Sequence, residues 1–283
     1  MFCSTLEKKI IWHGTTEILA NFPVAERTYR LRFRAPELVS ALQPGQFVML
    51  RLANTNDPLL GRPLAVYRAD AAEETIDIVY LVVGKTTERL SALLPSGTPL
   101  QVWGPLGAGF QLPPADHLIM IAGGIGQTPF YTLAEESLGL RVFSHKNAAV
   151  KKISLLFGAK NKNRLACLDD FRQLGVDVRI ATEDGSEGEC GVATDLIAST
   201  IREANLPKSV LACCGPRPML RAAFDVAQSL GNLPCYVSLE SPMACGLGIC
   251  FSCVVKYRDE NGAIDDVRTC TEGPVFDAYR LVW

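Results

Sequence analysis

The feature that most constrains the fold is a solid apolar run that leads directly into a glycine turn. The run HLIMIAGG extends from His117 to Gly124, and the turn continues through IGQTP to Pro129. Such a run is typical of a strand buried on both faces, as in a parallel sheet. The glycines let main-chain amides come close to a ligand. We therefore expect a strand, a tight turn and then a helix whose N-terminus favours phosphate.

Strands and helices continue to alternate after this turn. The helices are predicted at LDDFRQLG and PMLRAAFDVAQSLG. The strands are predicted at Lys151–Ala159, Asp177–Asp184 and Ser209–Pro216. Strand and helix in alternation favour a parallel α/β sheet. We assign residues 116–235 to this α/β domain.

The part of the chain before the apolar run reads as β-rich, and we assign residues 1–115 to it. Its β-branched and aromatic runs are Thr28–Pro36, Gly45–Leu52, Arg62–Ala69 and Thr75–Val83. Clusters of Pro, Gly, Asn and Asp separate them, a spacing that predicts a small β-barrel. One helix is expected at TTERLSALLPSG, closed by Pro95 and Gly97.

Composition narrows the function classes. The 283 residues suggest two domains and a small appendage, and 48% apolar with 20% charged residues is a globular balance. The net charge of −2 favours neither nucleic acid nor an anionic membrane as partner. We see no run of eighteen apolar residues and no export signal, so we expect a cytoplasmic protein.

Four of the ten cysteines cluster near the end of the sequence, in residues 236–283. Cys245, Cys250 and Cys253 are spaced C-x₄-C-x₂-C, and sixteen residues separate Cys253 from Cys270. This spacing is typical of a plant-type [2Fe–2S] cluster. Zinc sites usually pair their ligands in two knuckles, and disulfides need an oxidising compartment. The pattern therefore favours the cluster over zinc or disulfides as the role of these four residues.

The other six cysteines are mostly isolated. For most of them we expect the role of a small buried hydrophobic residue. They are Cys3, Cys167, Cys190, Cys213, Cys214 and Cys235.

A second loop accompanies the glycine turn. CCGPRPML, from Cys213 to Leu220, ends a later predicted strand and opens a helix. Two loops at the carboxyl ends of parallel strands define a ligand crevice; either loop alone would also suit a simple strand-to-helix turn. The pair resembles the pyridine-nucleotide domain of the ferredoxin reductase superfamily. That resemblance implies an NAD site at Gly123, Gly124, Gly126, Thr128, Pro129, Cys214, Gly215 and Pro216. The basic stretch GAKNKNR leaves NADP open.

In the same superfamily a flavin-carrying barrel precedes the nucleotide domain. The stretch GRPLAV resembles the flavin-binding signature of this superfamily. Its arginine suits the role, because a guanidinium fork can pair with the pyrophosphate of a flavin dinucleotide. A second stretch, VYLVVGKTT, adds a glycine turn and two hydroxyls, with Thr86 where relatives usually have glycine. The resemblance implies FAD, although the residues alone do not separate it from FMN. The implied flavin residues are Arg62, Pro63, Leu64, Ala65, Val79, Tyr80, Leu81, Gly84, Thr86 and Thr87.

The short cysteine region narrows the resemblance further. SLESPMACGLGICFSCVVK and CTEGPVFDA closely resemble the family of electron-transfer subunits of class B dihydroorotate dehydrogenases. The family implies a partner subunit that oxidises dihydroorotate at its FMN, in pyrimidine biosynthesis and in a heterotetramer. Electrons then pass through the [2Fe–2S] cluster and FAD to NAD⁺. We expect no dihydroorotate chemistry on this chain, and we expect His13, His117 and His145 to be structural.

Two other functions compete with this interpretation. One is a subunit of another NAD(P)H-linked reductase that serves a ferredoxin or a hydrogenase, which would share all three modules. The other is a flavin-binding redox sensor without an enzymatic role. The nucleotide crevice looks intact and no regulatory domain is attached, which argues against the sensor.

Overall fold

The computed structural model describes residues 11–93, 98–143 and 147–283. The helices are α1 Pro36–Ala41, α2 Lys85–Ser91, α3 Phe130–Ser137, α4 Leu168–Gln173, α5 Ile197–Ala204 and α6 Arg217–Ser229. The strands are β1 Trp12–Ala25, β2 Thr28–Arg34, β3 Phe47–Leu52, β4 Arg62–Asp70, β5 Thr75–Leu81, β6 Pro99–Leu106, β7 His117–Gly123, β8 Lys152–Ala159, β9 Asp177–Thr182, β10 Glu189–Cys190, β11 Ser209–Cys214, β12 Cys235–Ser238, β13 Val254–Arg258, β14 Ile264–Arg268 and β15 Val275–Asp277.

The first six strands close into a barrel with the order β1-β2-β5-β4-β3-β6. Side chains from alternate positions, such as Leu31 and Phe33 on β2 and Ile76 and Ile78 on β5, fill its interior. The predicted barrel is confirmed, but β1 and β6 were not predicted. Strand β1 has two register irregularities and an exposed Leu19, which breaks its alternation.

The α/β part of the chain contains a seven-stranded sheet with the strand order β10-β9-β8-β7-β11-β12-β15. Strands β7 to β12 pair in parallel, and helices cover the sheet. The predicted parallel α/β sheet is therefore confirmed. The central strand β7 is the apolar run, and its side chains from His117 to Ala122 are buried.

The cysteine region returns to this sheet instead of standing alone. Strand β15 pairs antiparallel with β12, and a separate hairpin of β13 and β14 precedes it. The sequence offered no apolar pattern strong enough to predict these short strands. The division of the chain at residues 115 and 235 stays a prediction, since β12 and β15 share one sheet across the second boundary.

A buried ion-pair network joins the barrel to the α/β domain. Asp77 on β5 is only 2% exposed and accepts from both Arg30 and Arg32. Arg30 also donates to Asp170 of α4 at 2.9 Å, and the Tyr67 hydroxyl donates to the same carboxylate at 2.7 Å. Because a buried charge is tolerated only when it is paired, these contacts fix one domain against the other.

The helix predicted after Gly84 is shorter than expected, since α2 ends at Ser91. Its predicted closing residues, Pro95 and Gly97, lie outside the described residues, as do Cys3 and His145. In the described part of the chain, none of the helices has the length and apolar character needed to cross a membrane.

Candidate functional site

A cavity of about 1170 Å³ lies between the barrel and the α/β sheet. It gathers the two sequence-predicted loops and the predicted flavin residues at one place. The predicted residues that line it are Arg62, Pro63, Leu64, Ala65, Val79, Tyr80, Leu81, Gly84, Thr86, Thr87, Gly123, Gly124, Gly126, Thr128, Cys214, Gly215 and Pro216. Pro129 does not line it and instead caps the N-terminus of α3.

The two loops of the nucleotide crevice are in direct contact. A Cβ added to Gly126 would lie 2.1 Å from the carbonyl oxygen of Cys214, so only glycine fits there. The turn itself is a 3₁₀ turn over Gly124–Gln127, and α3 starts at Phe130, directly after Pro129. The glycines thus serve a close approach of two backbones beside the cavity.

The two adjacent cysteines of β11 face opposite sides of the sheet. Cys214 lines the cavity, whereas Cys213 is packed in the core with its sulfur 3.9 Å from that of Cys235. The predicted inward packing of Cys213 is confirmed. Burial, together with the charge of Glu240, raises the pKa of Cys214 to about 12. Cys214 is therefore a neutral thiol near pH 7, suited to contact and not to nucleophilic attack.

Arg62 begins β4 at the barrel side of the cavity. Its guanidinium donates to the carbonyls of Leu60 and Gly61, and within the described ranges it forms no ion pair with a carboxylate. The fork therefore keeps donors for an anion in the cavity. Leu64 and Ala65 follow on the same strand. Both pair with β3, and both line the cavity.

The two threonines at the start of α2 have different surroundings. The Thr87 hydroxyl accepts from the amides of Val83 and Gly84 and donates to the Gly84 carbonyl, so it caps the helix. The Thr86 hydroxyl is buried and has no hydrogen-bond partner in the part of the chain that the structure describes. A buried hydroxyl left without a partner is costly, and a phosphate in the adjoining cavity would satisfy it.

The four clustered cysteines lie as two pairs. Cys245 interacts with Cys250 on the outer side of the loop, and Cys253 interacts with Cys270 on the buried side. Burial opposes ionisation of Cys245, but amides of the surrounding loop and the Cys250 thiol lower its pKa to about 7. Burial and the neighbouring Cys253 raise the pKa of Cys270 to about 12.

Two pairs of thiols match the ligand needs of a two-iron cluster, in which each iron takes two cysteines. The nine cysteines in the described ranges are all free thiols. In those ranges no group of three His, Cys, Asp or Glu side chains is gathered closely enough to hold a metal ion. The fit to a [2Fe–2S] cluster rests on the four thiols and their pairing.

The cysteine loop is packed onto the barrel. Cys253 and Cys270 form one apolar cluster with Phe47, Met49 and Leu106, and Trp103 packs against its edge. Phe47 lies on β3 and also lines the large cavity. The apolar cluster that contains the buried thiols thus extends to the wall of the cofactor cavity.

Comparison with known families agrees with these two sites. Residues 240–282 match the iron–sulfur cluster binding domain of dihydroorotate dehydrogenase B, and residues 120–225 match the oxidoreductase NAD-binding domain. The electron transfer subunit of dihydroorotate dehydrogenase B (NAD(+)) from Desulforamulus reducens is 36% identical over 94% of this chain and 97% of its own length. The same subunit from Bacillus caldolyticus is 38% identical over 92% of this chain and 94% of its own.

This chain belongs to the family of dihydroorotate dehydrogenase B electron transfer subunits. It is accordingly an oxidoreductase chain, and the predicted iron–sulfur and NAD-binding modules are confirmed. Among solved structures, the NADH-dependent reduced ferredoxin-NADP oxidoreductase has a TM-score of 0.79 and 27% identity, over 95% of this chain and 90% of that one. A ferredoxin NADP⁺ reductase from Neisseria gonorrhoeae shares the fold, with a TM-score of 0.61 and 18% identity over 77% of this chain and 92% of that one.

Sequence analysis did not predict several of the residues that line the cavity. Glu183 directly follows β9 and lines the nucleotide side together with Lys160 and Arg164. The carboxyl-end rule for parallel strands could have identified Glu183, because its strand had been predicted. Phe47 carried no comparable signal, since its place in the apolar cluster with Cys253 and Cys270 depends on the returning cysteine loop.

Proposed function

We propose that this chain receives electrons from the FMN of a partner dihydroorotate dehydrogenase subunit and delivers them through a [2Fe–2S] cluster and FAD to NAD⁺, in pyrimidine biosynthesis. The observation that carries this proposal is the position of Phe47, which belongs to the same apolar cluster as Cys253 and Cys270 and lines the cofactor cavity. A cluster on these thiols and a flavin in the cavity would therefore lie on either side of one small apolar cluster, as electron exchange within this chain requires.

Cys245 and Cys250 would hold one iron of the cluster, and Cys253 and Cys270 the other. When bound, the cluster exchanges single electrons, the flavin exchanges one or two, and nicotinamide accepts a hydride. The protein holds these groups in place and keeps water from the buried pair, since Cys253 and Cys270 are at most 2% exposed.

For FAD, we propose that the Arg62 fork and the Thr86 hydroxyl bind the pyrophosphate. Within the described residues the Thr86 hydroxyl has no hydrogen-bond partner and the Arg62 guanidinium has no carboxylate partner, which supports this assignment. The remaining flavin contacts would come from main-chain groups and side chains at Pro63, Leu64, Ala65, Val79, Tyr80, Leu81, Gly84 and Thr87.

For NAD⁺, we propose that the two touching loops bind the pyrophosphate and the nicotinamide. Gly123, Gly124, Gly126, Thr128, Gly215 and Pro216 would bind the phosphates, and the neutral Cys214 thiol would contact the nicotinamide. Glu183 favours NAD⁺ over NADP⁺, because a carboxylate accepts from a ribose hydroxyl and repels a 2′-phosphate.

The surface around the outer cysteine pair supports a partner subunit at this end of the molecule. Ile249 is 76% and Phe251 61% exposed, and they flank the exposed Cys250. Large apolar side chains grouped at a surface are typical of protein contacts. We propose that the partner docks here in a heterotetramer and that the complex is cytoplasmic, where the cysteines stay reduced.

The experiment that tests this function is co-purification with a catalytic dihydroorotate dehydrogenase subunit, followed by a dihydroorotate-dependent NAD⁺ reduction assay. The proposal expects a stable complex that reduces NAD⁺, and neither chain alone should do so. A complex that leaves NAD⁺ unreduced would favour the second candidate, a ferredoxin-linked reductase subunit. The similarity to the ferredoxin-NADP oxidoreductase, at a TM-score of 0.79, supports that alternative.

A further inference from the structure

Arg268 ties together the two segments that carry the clustered cysteines. It ends β14, two residues before Cys270, and its Nη1 donates to the carbonyl of Gly248 at 3.1 Å. Its Nη2 lies 2.5 Å from the Glu272 carboxylate, which holds the guanidinium from the other side. The guanidinium carbon also lies 5.2 Å from the ring centre of Phe251.

The contact with Gly248 restrains the cysteine loop beside a hydrogen bond to sulfur. The Leu247 amide, from the residue before Gly248, donates to the Cys245 sulfur at 3.3 Å. Holding the Gly248 carbonyl at Arg268 therefore helps to keep the Leu247 amide directed at the sulfur. Gly248 itself has φ +79°, a conformation that suits glycine, so its peptide would otherwise be free to turn.

Arg268 also brings a positive charge to the buried thiol pair. Arg268 lies two residues before Cys270, and its guanidinium donates to Gly248 in the loop between Cys245 and Cys253. A cluster gains one negative charge when it is reduced, so a nearby cation stabilises the reduced form and a nearby anion destabilises it. Arg268 and Glu272 balance each other, and removal of either charge leaves the other uncompensated.

We propose that Arg268 is a positioning residue that sets the reduction potential of the cluster. It does so by restraining the loop segment whose Leu247 amide donates to the Cys245 sulfur and by balancing the charge of Glu272 beside the cluster. Hydrogen bonds to cluster sulfurs are an established means of raising such potentials. The inference deepens the proposed function and rests on it, because it requires a cluster on these four cysteines.

The test is a redox titration of the anaerobically purified full chain, followed by electron paramagnetic resonance of the reduced cluster. Arg268→Gln removes the charge and the fork, and the ratio of reduced to oxidised cluster at a fixed potential should fall about tenfold, or 59 mV for one electron. Arg268→Lys keeps the charge and should recover only part of that shift. Glu272→Gln should shift the potential in the opposite direction, upward.

Arg258→Gln is the matched control, because Arg258 ends the partner strand of the same hairpin, at the end away from Arg268, and its guanidinium donates to the carbonyl of Gly262. It should leave the potential unchanged. Equal potentials for the wild type, Arg268→Gln and Glu272→Gln would overturn the inference. If Arg268→Gln loses its cluster, Glu272→Gln decides, and a potential that does not rise overturns it. Wild-type protein without iron and acid-labile sulfide would instead refute the proposed function.

Discussion

The indole Nε1 of Trp103 donates a hydrogen bond of 3.0 Å to the main-chain oxygen of Cys245. The bond joins β6 of the barrel to the cysteine loop, 142 residues further along the chain. It fixes the outer thiol pair relative to the wall of the cofactor cavity, so the barrel supports both redox sites.

Trp103→Phe should loosen the cysteine loop without emptying the flavin site. The substitution keeps most of the packing and removes one partly buried hydrogen bond, worth about 1 kcal/mol. We expect faster loss of iron to a chelator, with FAD content unchanged. The rate of iron release from the purified chain is the measurement, and Trp12→Phe is the control. Equal release rates for Trp103→Phe and wild type would show that this bond does not hold the loop.

Gly126→Ala should impair NAD⁺ use strongly. The added Cβ would lie 2.1 Å from the Cys214 carbonyl, so the two loops would have to separate. A displacement of this size at a binding site can cost about a hundredfold in rate. The measurement is steady-state reduction of a dye by NADH. Gly175→Ala is the control, because Gly175 has φ +79° and open space around its Cβ, so it carries backbone strain without touching the site.

Thr86→Val should weaken FAD binding. In the absence of FAD, the variant should be at least as stable as the wild type. The hydroxyl has no partner in the described part of the chain, so its loss removes a desolvation cost there. With FAD bound, a hydrogen bond to a charged phosphate is lost, about 1.5–3 kcal/mol. Thermal unfolding with and without FAD measures both effects. Thr87→Val is the contrasting variant, and it should destabilise both forms because Thr87 caps α2.

Glu183→Gln should reduce the preference for NADH over NADPH. The change removes a negative charge from the nucleotide side of the cavity, where Lys160 and Arg164 remain. We expect kcat/KM for NADPH to rise by about tenfold, and that for NADH to fall, as the ribose loses an acceptor. The adjacent Asp184→Asn is the control, since Asp184 binds Ser186 and does not line the cavity. An unchanged preference would remove Glu183 from the specificity determinants.

His117 should make the protein less stable in mild acid. Burial and the neighbouring Lys152 lower its pKa to about 4, whereas an unfolded histidine titrates near 6.5. The stabilisation from its neutral form is complete above pH 6.5 and is lost as the pH falls to 4. The loss amounts to about 3 kcal/mol, because the unfolded chain binds the proton first.

The measurement is denaturant unfolding between pH 7.5 and 4.5. His117→Gln should flatten this pH dependence, whatever its effect on absolute stability, and His13→Gln should not. A slope that is the same in both variants would assign the acid sensitivity to other groups.

Local patterns were sufficient to predict strands β7, β8, β9 and β11 of the sheet and the two loops of the nucleotide crevice. The run from His117 to Gly124 and the loop after Cys214 carry strong short-range signals, and the structure brings them into contact. Predictions were weakest where the backbone depends on distant partners. Strands β1 and β6 pair with each other although their paired residues lie more than eighty positions apart, and they contain Pro, Gly and exposed apolar positions.

The residues that join the parts of the molecule were also beyond sequence analysis. In the sequence, Asp77 and Asp170 have no feature that distinguishes them from acidic residues at the surface. In the structure, both carboxylates accept hydrogen bonds from Arg30. The roles of Trp103 and Arg268 likewise depend on where the cysteine loop returns. Periodicity identifies which face of an element is buried, but it does not identify its neighbour.

The central claim is that electrons from the partner reach NAD⁺ through the cluster on this chain. The most direct measurement compares the complex of the partner with wild-type chain and with Cys250→Ser, assaying dihydroorotate-dependent NAD⁺ reduction. Cys250 is exposed, so its substitution leaves the core intact. We expect the variant complex to lose the cluster and NAD⁺ reduction, while dihydroorotate still reduces a dye at the partner. Undiminished NAD⁺ reduction by a complex without the cluster would contradict the account.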